Sequence, residues 1–62
     1  MNHEMVGRTV VFFRKDTFYP ILLLSPRECG KSLEEQAEEH AEINPGTERV
    51  ETLQGKVLWR KQ

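Results

Sequence analysis

The stretch from Ser32 to Gly46, SLEEQAEEHAEINPG, carries a start signal and a stop signal for a single helix. Ser32 followed three places later by Glu35 is a capping box, in which the serine hydroxyl accepts the N3 amide and the glutamate reaches back to the cap. Pro45 disfavours helical geometry at Asn44, and Gly46 can supply a left-handed turn, so the helix is predicted to end at Asn44. An advance of about 100° per residue from Leu33 places Gln36, Ala37, His40, Ala41 and Ile43 within about 80° of it. The five glutamates lie opposite, between roughly 100° and 240°. Such a helix has one apolar side and covers one surface, so everything else in the chain must fit beneath it.

The remainder reads as strands. RTVVFFR (Arg8–Arg14) is dense in β-branched and aromatic residues, and FYPILLLS (Phe18–Ser25) follows after the polar KDT, which suits a hairpin. Pro20 cannot donate a ladder hydrogen bond, which pushes the second strand toward an edge, a bulge or a later start. RVETLQGKVLWRK is predicted to be a second hairpin with Gln54 and Gly55 at the turn. Pairing Leu53 with Lys56 then sets Thr52 opposite Val57, Glu51 opposite Leu58 and Val50 opposite Trp59. Residues 1–7 are polar and lack periodicity, and are predicted to be a flexible tail before a single domain spanning 8–62. A chain of 62 residues buries only about 60% of its unfolded surface. The predicted fold is α+β: an antiparallel sheet of three to four strands, element order β-β-α-β-β, with one amphipathic helix packed on one face. Ala37 and Ala41 let the helix axis sit close to the sheet.

The first hairpin is apolar on both sides. Val10 and Phe12 point one way and Val11 and Phe13 the other, and Ile21 and Leu23 likewise oppose Leu22 and Leu24. One helix covers one face, so Val11, Phe13, Ile21 and Leu23 form the predicted oligomer face, covered by a terminus, a second copy in a homodimer, or an unknown protein partner.

Charge is unevenly placed. Leu33 to Asn44 holds five glutamates and no lysine or arginine, whereas the rest has nine basic and five acidic residues, a balance of +4 within a net charge of −1. Glu34, Glu35, Glu38, Glu39 and Glu42 make an anionic ridge, read either as a solubilising face or as a docking surface for a basic partner. Aromatic Phe12, Phe13, Phe18, Tyr19 and Trp59, with Arg8, Arg14, Lys15, Arg49, Lys56, Arg60 and Lys61 among them, give the alternative reading of a nucleic-acid-binding module on a basic, aromatic sheet face. The sequence pI near 6.1 weighs against it, since strong nucleic-acid binders run above about 9.

Catalytic, metal and cofactor chemistry find little support. SPRECGKS ends like a phosphate-binding loop, G-x-x-x-x-G-K-[ST], but Ser25 stands where the first glycine belongs and Pro26 removes an amide. Glu34 and Glu35 would repel a triphosphate at that helix end. Cys29 is the only cysteine, which excludes an internal disulfide and favours a reducing, cytoplasmic setting. No ligand pair has metal-site spacing, and Cys29 with His40 is a dyad only if the fold joins them. No apolar run approaches membrane-spanning length. The chain is therefore expected to be no enzyme and to need no cofactor.

A hairpin, an acidic helix introduced by SLEEQAEEH, then NPGTERVE and a last strand resemble the short accessory proteins of bacteriophages and prophages. The layout is similar to that of small phage inhibitors of bacterial RNA polymerase. The resemblance covers layout and matches no motif residue by residue. It implies a small protein that acts by binding.

Overall fold

A computed structural model describes residues 7–62. Six of the seven residues of the expected tail lie outside the described residues; Gly7, the seventh, and Arg8 have helical backbone. Four strands follow: β1 (Thr9–Arg14), β2 (Phe18–Leu22), β3 (Thr47–Thr52) and β4 (Val57–Arg60). Two helices lie between β2 and β3, α1 (Pro26–Cys29) and α2 (Leu33–Glu42). The strands form one antiparallel sheet in the order β2-β1-β3-β4, so the first and third strands are central and Pro20 lies on an edge strand. The α+β arrangement with one amphipathic helix across a face is as the sequence predicts.

α2 forms where the signals place it. The Ser32 hydroxyl accepts the Glu35 amide at 3.1 Å, and the Glu35 carboxylate accepts the Ser32 amide at 3.0 Å. The helix stops two residues early, at Glu42, because the Asn44 side chain donates to the His40 carbonyl at 2.8 Å and takes the place of a further backbone turn. Ile43, expected on the apolar side, keeps helical backbone and its N–H donates to the Glu39 carbonyl at 3.3 Å, but it lies about 120–160° round the helix from the buried Ala37 and Ala41 and is exposed. Gly46 then turns the chain with φ 109°, and a Cβ there would stand 2.7 Å from Arg14 Nη2. That guanidinium donates to the Pro45 carbonyl and would have to move aside for a Cβ, but it is the backbone angle that demands glycine.

Ala37 and Ala41 are buried against Val10, Phe12 and Val50, all three fully buried, with Leu23 completing the core. Tyr19, Ile21, Leu33, Leu58 and Trp59 surround it. The Phe12 ring stacks on Tyr19 at 5.7 Å and meets His40 edge-on at 4.7 Å.

Three local expectations need correction. SPRECG is not all loop: Pro26 at the first helical position and Gly30 in the left-handed conformation bracket one helical turn. The second hairpin turns through three residues, Leu53 to Gly55, closed by Thr52 N–H to the Lys56 carbonyl at 2.8 Å. Glu51 thus pairs with Val57, and a bulge at Leu58 restores Val50 to Trp59. Most consequential is the phase of β2. Arg14 N–H donates to the Thr17 carbonyl at 2.7 Å around Lys15 and Asp16, and this even-length turn pairs Val10 with Ile21 and Val11 with Pro20. Odd positions of β1 consequently share a face with even positions of β2.

Candidate functional site

The sheet face turned away from α2 is built from three cross-strand rows. Phe18, Phe13, Arg49 and Arg60 form one row, Pro20, Val11, Glu51 and Val57 the next, and Leu22 with Thr9 a short third. Phe18 is 66% exposed, Leu22 47% and Val57 40%. The Phe13 and Phe18 rings lie 5.8 Å apart, the Arg49 guanidinium rests 3.9 Å over Phe13, and the same arginine pairs with Glu51. The β1–β2 half of the face is apolar and the β3–β4 half carries its charge.

This face replaces the predicted oligomer group. Val11 and Phe13 belong to it, but Ile21 packs against the core and Leu23 is buried within it. The four residues do not share a surface, because the two-residue turn sets β2 in the opposite phase. Pro20, Leu22 and Val57 are the residues the sequence reading missed, and Phe18, named there only among the nucleic-acid candidates, joins them. The length of the first turn was the signal for the β2 residues, and the β4 bulge has no equally plain one.

The acidic ridge is divided. Glu35 is committed to the cap, and the hydrogen bond from the Ser32 backbone N–H, then that from its side chain, hold its carboxyl below the usual carboxylate range. Glu39 pairs with Lys31 at 2.8 Å, which raises the lysine pKa. Glu34, Glu38 and Glu42 remain exposed at four-residue spacing, a stripe along the helix.

The set proposed for nucleic acid is also split. Phe12, Tyr19 and Trp59 turn toward the helix and the core. Arg8 donates to the Leu23 carbonyl, Arg14 to that of Pro45, and Lys61 lies 3.9 Å from Glu48. Phe13, Phe18, Arg49 and Arg60 alone among the candidates align on the outer face; Lys15 and Lys56 are exposed beyond the strand ends.

Between β2 and α2 an open groove of about 490 Å³ is lined by Leu22, Leu24, Cys29, Lys31, His40 and Ile43 among others. Gln36 closes one end of it: its amide donates to the Leu24 carbonyl and accepts the Leu24 N–H, both at 2.8 Å, as a neighbouring strand would. Cys29 Sγ is 3.6 Å from the Lys31 carbonyl, and no hydrogen bond joins it to His40 among the described residues. The loop compared with a phosphate cradle uses Gly30 as a helix cap, Lys31 as the partner of Glu39 and Ser32 as an N-cap. Among the described residues no group of three His, Cys, Asp or Glu is placed to hold a metal ion, and no helix is long and apolar enough to cross a membrane. Comparison of the chain with protein families, curated proteins and solved structures gives no match.

Proposed function

We propose that this chain is a small non-enzymatic protein-binding or regulatory protein of phage or prophage type, acting in the cytoplasm through the outer face of its sheet. The observation that carries the reading is a contiguous group of Val11, Phe13, Phe18, Pro20 and Leu22 on the face that the helix does not cover. An exposed apolar group of this kind beside charged residues is the composition that contact surfaces for other molecules carry. The Glu34, Glu38 and Glu42 stripe on the opposite side is the secondary surface, suited to steering a basic partner.

A photo-crosslinking residue introduced at Phe18 of the full chain, in its native cells, tests this. Protein adducts at position 18 that are absent when the probe sits at Gly55 are the expected result; no adduct above background at position 18 would remove the reading. A second reading, single-stranded nucleic acid, is favoured by one row only, the Phe18, Phe13, Arg49 and Arg60 alignment. Retention of an oligonucleotide at low salt, lost steeply as salt is added, would support it.

A further inference from the structure

We infer that the occupant of the outer sheet face is a second copy of this chain, stacked face to face about a two-fold axis that runs across the strands. The inference rests on the binding reading above and names its partner. Its basis is the pattern of the two full rows. Phe18, Phe13, Arg49 and Arg60 lie one step along the strands from Pro20, Val11, Glu51 and Val57. A two-fold axis between the rows lays each on the other row of the partner. Phe18 then meets Pro20, Phe13 meets Val11, Arg49 meets Glu51, and Arg60 lies along Val57, with every contact made twice.

The charges decide among arrangements. Arg49 and Glu51 already pair within a chain, and the axis turns two such pairs into an alternating group of four, whereas laying either residue on its own counterpart would oppose like charges. An axis parallel to the strands would put β2 over β4 of the other copy and set Phe18 and Pro20 against the arginine-bearing edge. The cross-strand axis keeps apolar half on apolar half. It also leaves the two acidic helices on opposite outer surfaces, where the Glu34, Glu38 and Glu42 stripes do not repel each other.

Shape and size agree. The molecule is a slab with Cα extents of 31 × 23 × 15 Å, two layers thick, and its broad side is of the size from which interfaces of about 800 Å² per partner are made. Two sheets stacked about 10 Å apart, with their strands within about 30° of alignment, form a sandwich with a second core that the described residues of a single chain do not build. β1 and β3 are the central strands, so Val11, Phe13, Arg49 and Glu51 lie nearest the centre of the contact and stay in contact through that rotation. Edge-to-edge pairing through β2 is the poorer route to a dimer. Arg14 N–H to Thr17 and Leu23 N–H to Arg8 direct the odd β2 residues toward β1, so Pro20 lies among the outward-facing positions and offers no donor.

The test is a charge exchange that preserves the bond within each chain. The double variant Arg49→Glu with Glu51→Arg keeps the intrachain pair and should associate with itself within about threefold of the natural chain, as measured by sedimentation equilibrium. Mixed with the natural chain, it should form heterodimers at least tenfold more weakly than either homodimer, because like charges then meet twice. Statistical mixing of the two would overturn the arrangement. A strictly monomeric mass for the natural chain up to about 1 mM, the weak end of association, would overturn self-association altogether. The crosslink at Phe18 separates the failures: adducts to a different protein with a monomeric natural chain leave the binding reading standing, and no adducts remove both.

Discussion

Val10, Phe12 and Val50 are fully buried beneath α2, while one residue along the same strands Val11, Phe13 and Glu51 face outward and are only partly covered. The β1 residues on the two sides are close in composition. What separates them is the helix with Ala37 and Ala41, which lies on one side only. In a chain of 62 residues the supply of covering structure, and not the hydrophobicity of the strand, decides which residues become core. The side away from α2 keeps large apolar groups on β1 and β2 and adds an Arg49–Glu51 pair beside them on the central strand β3.

The sharpest way to break this contrast is to truncate the matched phenylalanines. Phe12→Ala should cost about 3–5 kcal/mol, a large share of a total stability on the order of 3–9 kcal/mol. Phe13→Ala at a dilution that disfavours association should cost about 1 kcal/mol, mostly the contact with Arg49. Urea titration followed by circular dichroism reads both, and equal losses would contradict the two-sided description. Enlarging the helix on either side comes next. Ala37→Leu should destabilise by about 1–3 kcal/mol because the axis sits close to Phe12 and Val50, whereas Glu38→Leu on the solvent side should stay within about 0.5 kcal/mol.

The smallest effects belong to the helix start, which depends on neither face. Ser32→Ala should cost about 1 kcal/mol by the same titration. The Glu35 carboxyl is held below its ordinary range by the bonds from Ser32, so its contribution is present above the usual glutamate pKa and is lost as pH falls through the depressed folded value. Glu35→Gln should therefore show less acid destabilisation in that window than the natural chain. An identical acid limb would place the source of the shift elsewhere.

Much of the fold was legible because its signals are local. Ser32 and Glu35 are three residues apart, and a capping box needs nothing from the rest of the chain. Ala37 and Ala41 were assigned to the covered side by helical periodicity alone, and Val50 opposite Trp59 survived a wrong turn length because the bulge at Leu58 compensated for it. The outer face was legible only in half. Val11 and Phe13 follow from alternation within one strand, but the β2 residues beside them depend on pairing between strands. A one-residue error in turn length exchanged Ile21 and Leu23 for Phe18, Pro20 and Leu22.

By itself the sequence determined where α2 begins, which of its sides is apolar, that two hairpins flank it, and that one helix leaves half the apolar strand surface uncovered. These follow from hydrogen-bonding and rotational rules that act within a few residues. Tertiary structure alone decided the strand order β2-β1-β3-β4, the phase of β2 and the division of the glutamates between cap, ion pair and open stripe. Each of those depends on contacts between residues far apart in the chain, and a shift of one position in pairing sends every side chain of a strand to the other face.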